Sequence, residues 1–258
     1  MKTFAQYYEY FTSKIEKRFL EKTFIYPEGV SLRYILKIAK KSDKLIVILS
    51  ACTRKGIKAR YNYMRTLSHC DENQLYILDD FGFDRRGAYY LGSGGNEIEE
   101  TCIKLITRTI EQLKPKKVFF CGSSKGGWAA LDFMPSFDDS IAIVGAPQYK
   151  LGDYLMKPPN EVTLKYVLPE QTEEAVANLN NHLRERLLRS GQHKVYLHYS
   201  DNEHTYNEHI VFLLRDLLDS GYQLETEKLH YTDHWDVGKY FPAWMTASLK
   251  REGCTFRE

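Results

Sequence analysis

The sequence predicts an α/β fold in which helices cover both faces of a mostly parallel central sheet. The 258 residues are 43% hydrophobic and 27% charged, a balance that supports one packed domain and argues against disorder. Short β-branched or aromatic runs alternate with longer segments of helical period, the order typical of parallel sheets. We therefore predict a single domain over residues 1–258, with a helical insertion or lid around residues 150–190.

Six runs are predicted to form strands, and the first five are largely uncharged inside, as buried parallel strands are. They are Lys44–Ser50, Gln74–Asp79, Lys116–Cys121, Ser140–Gly145, Lys194–Ser200 and Leu224–Tyr231. The predicted helices are Ile57–His69, Asn96–Leu113, Gly126–Met134, Thr172–Ser190 and Asn207–Ser220. The proline-bearing segment Asp153–Gln171 predicts an irregular excursion over a site. The first 40 residues are expected to add a helix and an antiparallel edge element.

The composition excludes several classes of protein. Lys and Arg number 36 against 34 Asp and Glu, so no global basic surface for nucleic acid is predicted. Five cysteines without a CxxC pair indicate neither a zinc site nor a disulfide framework, and predict reduced thiols in a cytoplasmic protein. The N-terminus has no apolar signal segment, and no apolar run is long enough to span a bilayer. Peripheral contact with the inner face of the membrane and a homo-oligomer both stay open.

The strongest local signal is the strand–turn–helix KKVFFCGSSKGGWAALDF at Lys116–Phe133. Gly122, Ser124 and Gly126 form G-x-S-x-G between the predicted strand and helix, where a nucleophile elbow requires it. The two glycines let the strand and helix backbones approach each other closely. The alternative is a glycine-rich turn such as a phosphate cradle, although the P-loop order is absent.

A serine nucleophile of this fold needs an acid and then a base further along the chain. Asp201 follows one predicted strand, and His234 lies in the loop after the last one. Both fall past the carboxyl ends of strands, the edge where open α/β sheets carry their sites. Three alternatives stay open: Glu203 or Asp233 as the acid, and His230 as the base.

Two backbone amides are expected to stabilise the oxyanion of an acyl-transfer intermediate. The amide of Lys125, at the start of the helix, is one donor. The other is expected from Ala51 or Cys52, in the loop after the first buried strand. Cys52 is an alternative nucleophile, but no elbow surrounds it.

Four patches of the sequence carry a resemblance to known enzymes. They are GSSKGG, GAPQYKLGDY at Gly145–Tyr154, ARYNYMR at Ala59–Arg65 and FDRRGAYY at Phe83–Tyr90. These patches resemble the bacterial capsular polysaccharide O-acetyltransferases built on the α/β-hydrolase fold. A more distant likeness is to the acetyltransferase-like components of accessory secretion systems that modify adhesin glycans.

The resemblance implies an α/β-hydrolase fold and a Ser–Asp–His triad, whose pattern falls on Ser124, Asp201 and His234. It also implies acetyl-CoA as the donor and a capsule or surface polysaccharide as the acceptor. No metal is predicted.

The residues by themselves indicate acyl transfer. His234 would take the Ser124 proton, Asp201 would orient the imidazole, and a sugar hydroxyl would attack the acyl–Ser124 intermediate. Attack by water would make the same site a carbohydrate esterase or deacetylase. A non-catalytic hydrolase-like component of a glycan assembly or export complex is the third alternative.

A basic segment begins at the expected oxyanion loop. Thr53–Arg65 carries five cations and no acidic residue, and together with Arg85 and Arg86 it predicts a phosphate-binding patch. A solvated helix face is the equally weighted alternative. Lys125 is a further candidate for a phosphate or substrate contact. The predicted substrate contacts are Arg54, Lys55, Arg60, Tyr63, Arg86, Tyr89, Gln148 and Trp235; Tyr61 and Tyr90 are further candidates for stacking on sugar rings.

Overall fold

The computed structural model describes residues 19–26, 30–190 and 193–257. One eight-stranded sheet in the order β1-β2-β4-β3-β5-β6-β7-β8 forms its centre. The strands are β1 (Glu21–Ile25), β2 (Ser31–Lys37), β3 (Lys44–Leu49), β4 (Asn73–Leu78), β5 (Lys117–Ser123), β6 (Ser140–Gly145), β7 (Lys194–Ser200) and β8 (Gln223–Leu229). All six strands predicted from the sequence are present, with ends that differ by at most two residues.

Strand direction divides the sheet into two parts. From β4 to β8 every neighbouring pair is parallel, whereas β1 pairs with β2, and β2 with β4, in antiparallel register. This confirms the mostly parallel sheet and the antiparallel edge element. The helix expected in the first 40 residues falls mainly on positions outside the described residues.

Seven α-helices are described. They are α1 (Glu97–Leu113), α2 (Lys125–Phe133), α3 (Leu151–Leu155), α4 (Glu161–Val167), α5 (Glu173–Ser190), α6 (Val211–Asp219) and α7 (Val237–Arg251). A π-helical turn, Tyr206–Ile210, precedes α6, and a short 3₁₀ turn, His234–Asp236, precedes α7. None of the described helices combines the length and apolar character needed to cross a membrane.

Side-chain alternation along the strands places a core on each face of the sheet. On β3, Val47 and Leu49 face the larger core, which α1, α2, α5 and α6 cover. Ile46 and Ile48 face the other core, which α7 covers. This two-residue period is that of a sheet buried on both faces, and it confirms the prediction of helices on both sides.

One predicted helix is absent, and one long helix was not predicted. The helix expected at Ile57–His69 is a series of turns, with Tyr63 at a φ of 60° and the Ala59 amide donating to Arg85 O at 2.8 Å. These long-range contacts outweigh the weak helical period of the segment. Helix α7, which carries Pro242 in its interior, was not predicted from the sequence.

The excursion predicted at Asp153–Gln171 is partly helical. It contains the end of α3, the 3₁₀ turn Pro158–Asn160 and α4. Tyr166 on α4 packs its ring edge-on against Phe83, and Val167 O accepts a hydrogen bond from the Gly94 amide at 3.2 Å. The segment therefore lies over the loop that follows β4, at the carboxyl edge of the sheet.

Candidate active site

Ser124 lies on a strained turn between β5 and α2. Its φ of 50° is unusual for a residue with a side chain, and strain of this kind is characteristic of functional turns. A Cβ at Gly122 would lie 2.3 Å from Gly126 O, and one at Gly126 would lie 2.5 Å from Leu49 O. Only glycine fits at either position, which explains the spacing of the motif.

The Ser124 hydroxyl is part of a hydrogen-bonded series of three side chains. Its Oγ lies 2.9 Å from Nε2 of His234, and Nδ1 of His234 lies 2.7 Å from Oε2 of Glu203. A carboxylate only accepts, so Nδ1 carries the proton and Nε2 is free to accept from the serine. This arrangement, across 110 residues of sequence, is that of a nucleophile, a base and an orienting acid.

Asp201 does not take part in this series, which corrects the predicted acid. The Asp201 amide donates to Leu229 O at 3.1 Å, so the pairing of β7 with β8 continues through this residue. Its carboxylate consequently lies beside β8, at 2.6 Å from His230 Nδ1 and 3.2 Å from Lys228 Nζ. The same contact accounts for His230, whose side chain is 71% exposed and pairs with Asp201 instead of Ser124.

Glu203 reaches His234 because the chain turns back toward the serine after Asp201. The Glu203 side chain is fully buried, and its second oxygen, Oε1, accepts a hydrogen bond from Thr205 Oγ1 at 2.7 Å. Asp233, the other rival, caps the turn that carries His234 by accepting from the Trp235 amide at 3.0 Å. The order Ser, Glu, His was available in the sequence, but strand-end spacing does not separate two carboxylates two residues apart.

Gln148 touches the nucleophile. Its Nε2 donates to Ser124 Oγ at 3.2 Å, and its Oε1 accepts from the hydroxyl of Tyr89 at 3.2 Å. Both side chains are buried, so Gln148 is a partner of Ser124 as well as a candidate substrate contact. Tyr89 packs edge-on against Trp128, and this contact corrects its predicted role in stacking on a sugar.

The hydrogen bonds near Ser124 show which of the three candidate backbone amides, those of Lys125, Ala51 and Cys52, are available as oxyanion donors. The amide of Lys125 belongs to the first turn of α2, where amides have no partner within the helix. The amide of Ala51 donates to Asn62 Oδ1 at 2.9 Å, which makes it unsuitable as a donor to substrate. For the amide of Cys52, no hydrogen bond to another described residue is found, so Cys52 and Lys125 are the remaining pair.

The side chain of Lys125 has a structural role, which corrects its predicted contact with phosphate or substrate. Its ammonium is fully buried 2.7 Å from Asp79 Oδ2. The Asp79 carboxylate also accepts from the amides of Ala88 and Tyr90, at 2.9 and 3.1 Å. This ion pair fixes the loop after β4 against the start of α2, directly behind the elbow.

Six further predictions are corrected by burial or by existing partners. Tyr63 donates to or accepts from Ser123 Oγ, and Tyr61 donates to Glu21 Oε1 at 2.8 Å. Arg86 pairs with Asp84 at 2.6 Å and donates to Thr53 O, so it braces the oxyanion loop. Burial raises the pKa of the Cys52 thiol, which makes a Cys52 nucleophile unfavourable. Two others, Arg85 and Tyr90, are held by Asp80 and by the Ser50 amide, respectively.

An exposed basic and aromatic surface borders His234. The guanidinium carbon of Arg54 lies 5.2 Å from the ring centroid of Trp235, whose side chain is 46% exposed. Lys55, Lys58 and Arg60 are exposed on the same segment, and none forms a salt bridge with another described residue. We call these four cations and Trp235 the entrance patch; they are free to meet an anionic or aromatic part of a substrate.

Glu99, Asp132 and His182 form the one described cluster with the geometry of a metal site. Arg186 already occupies it, at 3.1 Å from Glu99 and 3.2 Å from Asp132. A cation placed there would face this guanidinium. The cluster is better described as a network of ion pairs between α1, α2 and α5 than as a metal centre.

Comparison with known proteins places this geometry in context. No family model matches the chain, and no curated protein matches it. Solved structures do: the capsule O-acetyltransferase of Neisseria meningitidis serogroup A has 20% identity and a TM-score of 0.75, over 88% of this chain and 93% of that one. A histidine-to-alanine mutant of that enzyme, in complex with CoA, has 19% identity and a TM-score of 0.74, over 89% of this chain and 94% of that one.

Two other similar structures have different activities or settings. The S-formylglutathione hydrolase of Agrobacterium tumefaciens has 10% identity and a TM-score of 0.60, over 90% of this chain and 95% of that one. The Gap123 glycosylation-associated protein complex of Streptococcus agalactiae has 17% identity and a TM-score of 0.73, over 91% of this chain but 47% of that one. The resemblance drawn from the sequence is thus matched in three dimensions, and the chain has the α/β-hydrolase-like fold that acetyltransferases and hydrolases share.

Proposed function

We propose that the chain is an O-acetyltransferase that moves an acetyl group from acetyl-CoA to a hydroxyl of a capsular or surface polysaccharide. The observation that carries the proposal is the unbroken series from Ser124 Oγ through His234 to the buried carboxylate of Glu203. On an elbow at the end of a central strand, this series is equipped for nucleophilic attack on an acyl group.

In the first half-reaction, Ser124 Oγ attacks the thioester carbon while its proton passes to Nε2 of His234. The carbonyl oxygen becomes an oxyanion, which the backbone amides of Lys125 and Cys52 would stabilise. The side-chain amide of Gln148 lies beside the serine oxygen. The carbon–sulfur bond then breaks. The CoA thiolate takes the proton from His234 and leaves acetyl–Ser124.

In the second half-reaction, an acceptor hydroxyl takes the place of CoA. Nε2 of His234 removes its proton, the hydroxyl oxygen attacks the acetyl carbon, and the same donors stabilise the second oxyanion. Collapse breaks the bond to Ser124 Oγ, which regains a proton from His234. Throughout, ionised Glu203 holds the imidazole in position and stabilises its charged form.

Three observations support acetyl-CoA and a glycan as the substrates. The entrance patch offers four cations for phosphates, next to an exposed indole for a ring. One similar structure is a capsule O-acetyltransferase and another holds CoA. We propose that Arg54, Lys55, Arg60 and Trp235 bind substrate, and that the protein is cytoplasmic and acts at the inner face of the membrane.

Mass spectrometry after brief exposure to acetyl-CoA tests nucleophile and donor together. We expect an acetyl adduct on Ser124 that is absent in Ser124→Ala, and release of CoA that accelerates when glycan acceptor is added. Loss of acetate from a pre-acetylated glycan, without acceptor-dependent CoA release, would identify an esterase instead. No turnover, with full biological output from Ser124→Ala, would identify a non-catalytic component of a glycan assembly or export complex.

A further inference from the structure

A side pocket lies between the start of α3 and the helices α5 and α6. It encloses about 400 Å³, and its wall includes Tyr149, Lys150, Arg184, Phe212 and Arg215. We call it the side pocket. Tyr149 directly follows Gln148, the residue that touches Ser124 Oγ. Gln148 and Lys150 are two residues apart, so their Cα atoms are separated by at most about 7 Å.

The carboxylate of Asp216, which lines the side pocket, has all its hydrogen-bonding capacity in use. Asp216 Oδ2 accepts from Tyr149 Oη at 2.8 Å and from Arg184 Nε at 2.9 Å, while Oδ1 lies 3.0 Å from Arg215 Nη2. Burial alone would raise the pKa of Asp216, but the hydrogen bonds from Tyr149, Arg215 and Arg184 outweigh it and lower that pKa. The carboxylate is therefore ionised and has no capacity left for a bound cation, whereas each guanidinium keeps terminal N–H groups.

Lys150 adds a positive charge that no carboxylate balances. Its Nζ lies 3.5 Å from the ring centroid of Phe212, and it forms no salt bridge with another described residue. The remaining acidic group in the wall, Asp153, has Oδ1 accepting from Asn180 Nδ2 at 2.7 Å. Three cations thus face two carboxylates, and the surplus is positive.

We propose that the side pocket binds an anionic group of the acceptor glycan, a phosphate or a carboxylate on a unit adjacent to the one that is acetylated. Two guanidinium groups and an ammonium around one cavity suit an oxyanion with several acceptor oxygens. Because Lys150 is two residues from Gln148, the proposal places the pocket within reach of a glycan unit adjacent to the one at Ser124. This inference rests on the proposed function, and it assigns the pocket to the acceptor and the entrance patch to the donor.

In the first test, binding of inorganic phosphate is monitored by NMR. The signals are the backbone amides of residues 149–153 and the Nε–H groups of Arg184 and Arg215. We expect saturable shifts in the wild-type protein. Lys150→Gln/Arg215→Gln leaves Asp216 paired with Arg184 and Tyr149. It should weaken phosphate binding about tenfold or more, the value of one charge-assisted hydrogen bond. Equal binding by this variant, or non-saturable shifts in the wild type, would overturn the proposal.

The second test separates the two sources of phosphate by steady-state kinetics. Lys150→Gln/Arg215→Gln should raise KM about tenfold for a sugar-phosphate oligomer, and leave both KM for acetyl-CoA and the acetyl–Ser124 adduct unchanged. The control for net charge is Lys165→Gln/Lys104→Gln, which removes two exposed positive charges outside the pocket. A rise in KM for acetyl-CoA alone would assign the pocket to the donor and refute the inference. A wild-type protein with no acetyl adduct and no transfer would remove the proposed function itself, a result that phosphate binding does not influence.

Discussion

The identity of the acid can be decided with two substitutions two positions apart. Glu203→Gln keeps the size of a side chain that is fully buried 2.7 Å from His234 Nδ1, but removes its charge. The glutamine side-chain amide can donate toward Nδ1, which favours the wrong tautomer of His234. In either orientation it lacks the negative charge that stabilises the imidazolium. Asp201→Asn removes a carboxylate that is 24% exposed and contacts only His230 and Lys228 among the partners described for it.

The two substitutions are expected to change kcat by amounts that differ by orders of magnitude. Loss of the orienting carboxylate in a triad lowers kcat by about 10³- to 10⁴-fold, or roughly 4–5.5 kcal/mol of transition-state stabilisation. Since Asp201 is not hydrogen-bonded to His234, we expect Asp201→Asn to change kcat by no more than about threefold.

The assay is hydrolysis of an activated acetyl ester, which needs no glycan acceptor and reports on acylation of Ser124. Thermal melting and circular dichroism of both variants control for folding, and Ser124→Ala gives the background rate. If Asp201→Asn is as inactive as Ser124→Ala while Glu203→Gln retains most of its rate, the acid has been assigned to the wrong side chain. The same result would show that the loop after β7 rearranges on substrate binding.

Three other predictions concern the support of the elbow and the response to acid. Gly126→Ala should lower the free energy of unfolding by about 1–3 kcal/mol, because its Cβ meets Leu49 O, whereas Gly238→Ala on α7 has open space and should be neutral or stabilising. Lys125→Met should cost about 3–5 kcal/mol by leaving Asp79 buried without its cation, and adding Asp79→Asn should recover part of that loss. Burial opposes ionisation of Glu252, but hydrogen bonds from Lys194, Tyr196 and Lys117 lower its pKa to about 2. Its contribution is therefore present above pH 4.5 and lost as the pH falls toward 2, so Glu252→Gln should flatten the acid limb of a stability–pH profile.

Chemical denaturation measures all three, and each has an outcome that contradicts it. Equal losses for Gly126→Ala and Gly238→Ala would mean that crowding at the elbow is not the cause. Full stability of Lys125→Met would mean that Asp79 is neutral or reaches water in the folded state. An unchanged acid limb in Glu252→Gln would place the acid sensitivity on other carboxyl groups, such as Asp216.

The parts of the site that the sequence predicted are those fixed by local geometry and strand order. Ser124 could be found because only glycine fits two residues to either side of it, which gives the motif a steric origin. His234 could be found because it follows the last parallel strand, and parallel strands bring their carboxyl ends to one edge. Both signals are properties of backbone packing, which short sequence patterns report well.

The parts that it missed depend on where irregular loops turn. Asp201 and Glu203 were equivalent by spacing, and only the extra β7–β8 pairing through the Asp201 amide directs one carboxylate away from His234. Tyr63 and Tyr89 were predicted as substrate contacts, but both have positive φ values, Tyr89 is buried, and Tyr63 is partly buried against the second core. Composition does not contain that information, because a tyrosine in a loop suits a sugar or a core equally well.

The structure also explains how the strained serine is held without a capping side chain. The Ser124 amide donates to Gly145 O at 2.8 Å, which attaches the elbow to the end of β6. The backbone N–H of Trp128 donates to Ser124 O at 2.9 Å. Behind it, the Lys125–Asp79 pair attaches the first residue of α2 to the loop after β4. In the proposed mechanism Lys125 would therefore serve twice: its backbone amide would stabilise the oxyanion, and its buried side chain would hold that amide in place. We therefore expect the buried ion pair to matter more for the position of the Lys125 amide than for net stability, because replacing both members of a buried pair by apolar groups is often neutral.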